Sequence, residues 1–172
     1  MEKTDKDRFK ILFVCTGNTC RSPTAEGILK KMLRENGIDN LMVSSAGTFG
    51  LKDAPASLFA IQVARLRNVD LTQHRSRELT TKMIKEADLI LAMSPEHLDF
   101  IRRIDKRAKD KTYLLKAFPQ LKPASNEDQN RGVLFIKDPI GGSPNDYEQS
   151  FSEIEKEVKR IYPELLSLVT KR

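Results

Sequence analysis

The sequence predicts a single α/β domain, a four-stranded parallel sheet flanked by helices on both faces. Short apolar runs rich in strand formers recur along the chain, and each is separated from the next by a stretch with helical apolar spacing. Connections of that length suit βαβ crossovers rather than hairpins. A length of 172 residues has room for one substantial core and none for a second independent domain.

The elements follow in order. Ile11-Leu12-Phe13-Val14 reads as a buried strand running into the turn Cys15-Thr16-Gly17-Asn18. Ser22 is placed to cap the next helix, with Pro23 at its first position, Ile28, Leu29, Met32 and Leu33 as its apolar face, and Gly37 as its stop. Residues 41–44 form the second strand. Helices are expected over 56–67 and 79–87, a strand over 88–93, a helix over 95–106 and a strand over 112–115. The last helix covers 147–171, with Pro163 as an internal interruption. Between Phe118 and Asp138 lies a long loop with Pro119, Pro123 and a polar run 125–130, ending in a buried or strand-like return at Val133-Leu134-Phe135-Ile136. Loops of that length more often serve function than fill space. Residues 1–9 read as a charged extension, and 10–172 as the domain.

Composition narrows the function. With 39% apolar and 31% charged residues, 8 Pro and 8 Gly, the chain belongs with soluble globular proteins. No apolar run approaches the roughly 20 residues that cross a bilayer, and the charged start lacks the apolar core of a secretory signal. The expectation is a cytoplasmic protein without membrane attachment. A balance of 30 basic to 24 acidic residues favours acidic or phosphorylated partners. Nucleic acid is not expected, because the basic residues alternate with acidic ones, Trp is absent and no recognition motif occurs. Two cysteines are too few for a disulfide framework and indicate a reducing compartment.

The segment Cys15-Thr16-Gly17-Asn18-Thr19-Cys20-Arg21 sits between a buried strand and a helix start. A loop curled over a helix N-terminus can aim several backbone N–H groups at the tetrahedral oxygens of a phosphate, and Arg21 can add a planar two-donor grip. Gly17 relieves backbone crowding there. The same field favours a thiolate at Cys15, a nucleophile. Taken singly, Cys15 also reads as a small buried hydrophobe and Arg21 as a surface residue; their joint placement favours the chemical reading. Zinc is disfavoured by the lack of a familiar ligand spacing around the two thiols, and a nucleotide P-loop by the missing Lys-Ser/Thr pair.

At these residues the sequence resembles the low-molecular-weight protein tyrosine phosphatases, including the bacterial protein arginine phosphatases. The resemblance runs through residues 14–23, Ser44-Ser45-Ala46-Gly47-Thr48, His74-Arg75-Ser76-Arg77, residues 87–93 and Asp138-Pro139, and covers the chain from Lys10 onward. It implies Cys15 as nucleophile, Arg21 as phosphate clamp and Asp138 as general acid on a mobile loop. Asn18 and Ser22 resemble residues that hold the phosphate loop in shape, with Ser45 and His74 as their support. The phosphate-binding segment would be Thr16, Gly17, Asn18, Thr19, Cys20, Arg21 and Ser22. Cys20 resembles a second loop cysteine that forms a protective disulfide with Cys15 on oxidation. The chemistry agrees: a poor leaving group benefits from a proton, which a carboxylic acid can supply. Read alone, Asp138 before a proline is more often a turn former. His97, beside Glu96 and near Asp99, is assigned no function.

After Asp138-Pro139 the eukaryotic-type tyrosine phosphatases of the family resemble one another in a pair of tyrosines, whereas this chain has Ile140-Gly141-Gly142. That difference, with Thr19 in the loop, resembles the arginine phosphatases. The expected activity is hydrolysis of protein phosphoarginine through a cysteinyl phosphate, with phosphotyrosine as the alternative and a non-catalytic phosphoprotein-binding regulator as a further one. Arsenate reduction is disfavoured because a relay of further cysteines is missing. No cofactor or metal is required, the partner is a phosphorylated protein substrate, and a monomer is expected.

Overall fold

The computed structural model describes residues 8–119 and 134–170. The extension before Arg8 and the loop residues Pro123, 125–130 and Val133 lie outside the described residues. Four strands, β1 (Phe9–Cys15), β2 (Leu41–Gly47), β3 (Leu89–Ala92) and β4 (Thr112–Leu114), form one sheet in the order β2-β1-β3-β4, all neighbours parallel. The helices are α1 (Arg21–Glu35), α2 (Leu58–Leu66), α3 (Thr81–Glu86), α4 (Pro95–Ile104) and α5 (Pro144–Thr170). The expected fold class is therefore the observed one.

Side-chain alternation along β1 explains the two-sided core. Ile11, Phe13 and Cys15 join a cluster with residues of α1, α2 and α5, whereas Leu12 and Val14 join one with α3 and α4. A strand buried on both faces must be apolar throughout, which is why β1 reads as a continuous run rather than an alternating one. Fully burying each such side chain is worth about 1.5–3 kcal/mol. None of the described helices is long and apolar enough to cross a membrane.

Several boundaries differ from expectation, each for a local reason. Helix α1 starts at Arg21 with Cys20 in the capping position and no side-chain cap, so Ser22 is not the cap. The Ser22 hydroxyl instead lies 2.9 Å from Cys15 Sγ. Helix α4 stops at Ile104 because the Asp105 carboxylate accepts from the Arg107 amide and starts a 3-10 turn over Lys106–Lys111. Helix α5 begins at Pro144, three residues before the expected start, where Ser143 and Asp146 bond reciprocally in a capping arrangement. It also continues through Pro163. Ile154, Val158, Ile161 and Leu165 are all buried on one stripe, and packing on both sides of the proline holds the helix together against a local cost of about 3 kcal/mol. The return before Asp138 forms no strand among the described residues; a single bond from Ile136 N to Met93 O, 2.8 Å, ties it to the sheet.

Gly47, the last residue of β2, fixes how closely that strand's end approaches the loop after β1. A Cβ there would stand 2.3 Å from the Thr16 carbonyl oxygen and 3.0 Å from the Asn18 amide nitrogen, both backbone atoms unable to rotate away. Gly47→Ala is expected to cost about 1–3 kcal/mol, lowering the melting temperature by roughly 3–10 °C. A melting curve superimposable on the parent's would contradict this close approach.

Candidate active site

The loop from Cys15 to Arg21 is held from outside by its carbonyls. Cys15 O accepts from Thr48 N (2.9 Å), Thr16 O from Phe49 N (3.0 Å), Thr19 O from Ser57 N (2.8 Å) and Cys20 O from Thr24 N (3.0 Å). Gly17 O accepts from the Ser76 hydroxyl at 2.8 Å and Asn18 O from His74 Nε2 at 2.7 Å. In a trans peptide the next residue's N–H points opposite to the carbonyl. The amides of residues 16–21 are thereby turned away from the surrounding scaffold, toward the inside of the loop. Such a set of convergent donors at a helix start binds anions.

Asn18 is the internal brace. Its backbone takes the left-handed conformation, φ 55°, which Asn tolerates better than most residues. Its side-chain amide donates to Ser22 Oγ (2.8 Å) and Ser45 Oγ (2.9 Å), and its amide oxygen accepts from Arg77 N (3.0 Å). Because Ser22 Oγ accepts from Asn18, its proton is free to point at Cys15 Sγ. Ser45 passes its own proton to the Glu26 carboxylate. The carbonyl oxygen of Asn18 can only accept, so His74 carries a proton on Nε2; burial lowers the His74 pKa below its ordinary value.

Arg21 is buried, with 6% of its side chain exposed, and donates from one nitrogen to Ile136 O (3.0 Å) and from the other to Asp138 Oδ2 (2.8 Å) and Thr16 Oγ1 (3.3 Å). Asp138 is 37% exposed, and its other oxygen accepts from Ile140 N. Cys15 and Cys20 are both buried free thiols. Burial above all, then the negative charges of Cys15 and Asp138, pushes the Cys20 pKa up to about 12, so Cys20 stays protonated at neutral pH. A cavity of about 720 Å³ opens beside Thr16, Arg21 and Asp138, walled by Phe49, Glu96, His97 and Phe100.

The family profile described as low molecular weight phosphotyrosine protein phosphatase matches residues 10–170. The chain belongs to this family. Like its relatives, this phosphatase is a hydrolase. It is 35% identical to a protein-arginine-phosphatase of Bacillus subtilis over 90% of this chain and 95% of that one. It is 36% identical to a low molecular weight protein-tyrosine-phosphatase of Escherichia coli, covering 85% and 87%. Among solved structures, an arginine phosphatase variant with its active-site cysteine replaced by a phosphorylated serine superposes with a TM-score of 0.79 at 32% identity, covering 91% of this chain and 95% of that one.

In this phosphatase the structure brings together every residue singled out from the sequence: Cys15, the loop through Ser22, Ser45, His74 and Asp138. Thr19 is buried and does not line the large cavity, whereas Thr16 does. Four contributors were not expected from the sequence. Ile136 acts through its carbonyl, which no side-chain pattern announces. Phe49 and Phe100 pack with ring centroids 5.8 Å apart in the cavity wall, Phe49 remaining 70% exposed. His97 is the fourth, 3% exposed, with Nε2 2.8 Å from Thr16 Oγ1 and Nδ1 2.9 Å from Ser94 Oγ. Its signal was present in the spacing: His97, Leu98 and Ile101 share the buried face of α4. Among the described residues no His, Cys, Asp and Glu cluster could hold a metal ion.

Burial and then the Arg21 charge pull the His97 pKa down from 6.5 to about 4, so the ring is neutral at pH 7. Between those values the unfolded chain takes up a proton that the folded one refuses. The stability associated with neutral His97 is thus complete above pH 6.5 and is lost as pH falls toward 4, by about 3 kcal/mol. Urea unfolding at pH 7 and 4.5 should show a smaller pH-dependent loss in His97→Gln than in the parent. Parallel losses would contradict it.

Proposed function

We propose that the protein hydrolyses phosphoarginine in proteins by way of a phosphoryl group carried on Cys15. The Cys15 thiolate attacks phosphorus as the bond to the guanidinium nitrogen breaks, and Asp138 protonates the departing nitrogen. Asp138 then takes a proton from water, whose oxygen attacks phosphorus and breaks the S–P bond, releasing inorganic phosphate and restoring the thiolate. Arg21 and the inward amides carry the charge that accumulates on the phosphoryl oxygens. Those oxygens compete with Asp138 for the same Arg21 nitrogen, so substrate entry frees the carboxyl for the leaving group. Asn18, Ser22, Ser45 and His74 keep the loop in its bound shape. Cys20 protects Cys15 by forming a disulfide with it under oxidation.

The observation that carries the substrate choice is the placing of carboxylates. Asp138 and Glu96 both border the cavity that Thr16 and Arg21 of the loop also line. A hydrogen bond from Ser94 lowers the Glu96 pKa and favours its ionised form. Guanidinium N–H groups match carboxylates; a phenyl ring offers them nothing. The first-named relative, an arginine phosphatase, supports the same choice. A phosphotyrosine reading draws on Phe49 and Phe100, an aromatic wall supplied from a different place than the tyrosine pair after Asp-Pro.

Comparing kcat/KM on phosphoarginine and phosphotyrosine peptides, in the parent and in Thr19→Ile, tests the choice. The parent is expected to prefer phosphoarginine. The added apolar bulk in the variant should shift the ratio about tenfold toward phosphotyrosine, equivalent to about 1.4 kcal/mol of differential transition-state binding. A parent preference for phosphotyrosine would overturn the substrate assignment, and an unchanged ratio would remove Thr19 from it.

A further inference from the structure

His97 takes part in a chain of hydrogen bonds whose direction can be worked out from its Arg21 end. Thr16 Oγ1 accepts from an Arg21 nitrogen that can only donate, so its own proton is directed at its other partner, His97 Nε2, and the neutral ring keeps its proton on Nδ1, facing Ser94 Oγ. Burial beside the Arg21 cation keeps the ring neutral, leaving Nε2 as an acceptor. The proton that Nε2 meets, 2.8 Å away, is that of the Thr16 hydroxyl. With its proton held there, Thr16 Oγ1 keeps its lone pairs turned to the Arg21 nitrogen 3.3 Å away.

Arg21 is held at three acceptors: Ile136 O, Thr16 Oγ1 and Asp138 Oδ2. A phosphoryl group takes the place of the third. With two acceptors left, on different nitrogens, the guanidinium plane remains fixed; with Ile136 O alone it can pivot about one bond. A two-donor grip on phosphate depends on that plane. We propose that His97 is a positioning residue for the phosphoryl site: by taking the Thr16 hydroxyl proton it makes Thr16 a fixed acceptor and so sets the plane in which Arg21 meets the phosphoryl oxygens. This rests on Arg21 being the phosphate clamp.

Two conservative replacements separate this role from a packing one. In Gln the terminal amide reaches the place of Nε2 and can accept from Thr16; in Asn it reaches only the place of Nδ1 and can serve only Ser94. The experiment measures kcat/KM on a chromogenic aryl phosphate, competitive inhibition by inorganic phosphate and melting temperature for His97→Asn, His97→Gln, Thr16→Val, Thr16→Ser, the double variant His97→Asn with Thr16→Val, and Arg21→Ala. His97→Asn and Thr16→Val should each lower kcat/KM and weaken phosphate inhibition by about tenfold, since each removes support from a charge-bearing contact. The double variant should be no worse than either, His97→Gln should be impaired much less than His97→Asn, and Thr16→Ser much less than Thr16→Val.

Equal impairment of His97→Gln and His97→Asn overturns the proposal, as does multiplication of the two losses in the double variant or unchanged phosphate inhibition. Should His97→Asn fail to fold, the threonine pair decides, and a Thr16→Val protein equal to the parent overturns it. Full turnover in Arg21→Ala would overturn the clamp reading and this proposal together. Loss of turnover in Arg21→Ala beside an unimpaired His97→Asn overturns this proposal alone.

Discussion

The outward pull on six consecutive carbonyls, from Cys15 to Cys20, is the constraint on which the site depends. Backbone amides converge on one point only if something else occupies the carbonyls facing the other way, because each peptide unit is rigid. Here Thr24 within α1 supplies one partner, and the other five come from three separate segments: the residues after β2 supply Thr48 and Phe49, the turn before α3 supplies His74 and Ser76, and the approach to α2 supplies Ser57. The sheet order follows the same demand. With β1 in the interior of the sheet, its C-terminal end is flanked by β2 and β3, and the loop that leaves it can be braced from both sides.

Polar side chains inside the loop extend that constraint rather than adding separate functions. Asn18 satisfies two hydroxyls and one backbone amide, and by accepting its bond Ser22 is left free to direct a proton at Cys15. A residue that would ordinarily cap α1 is thereby diverted to the thiol, and the helix begins without a side-chain cap. Local rules for helix starts fail at this position because the tertiary site outweighs them.

How much was legible in the sequence follows from how local each signal is. The strand-helix alternation, the apolar run of β1 and the spacing in the phosphate loop are local patterns, and they yield the fold and the loop. Helix ends were less legible: Asp105, Ser143 and the packed stripe around Pro163 act through contacts that a pattern of apolar residues does not contain. At the site, Asp138 lies 117 residues from Arg21 and emerged only through resemblance; on its own it reads as a turn residue. Ile136 was illegible because its carbonyl does the work. His97 was legible in part, since its helical spacing with Leu98 and Ile101 marks a buried face, but its partner Thr16 is 81 residues away.

Transfer of the phosphoryl group to Cys15 inside that cradle is the central step of the proposed reaction. The most direct measurement mixes Asp138→Ala protein with a small excess of aryl phosphate, denatures it rapidly during the first turnover and locates added phosphoryl by peptide mass spectrometry. Removing the base that activates water should let the intermediate accumulate. One phosphoryl group on the peptide bearing Cys15, absent from a Cys15→Ala control, is the predicted result. Turnover with no phosphoryl on Cys15 at any time point, or phosphoryl on another residue, would contradict it.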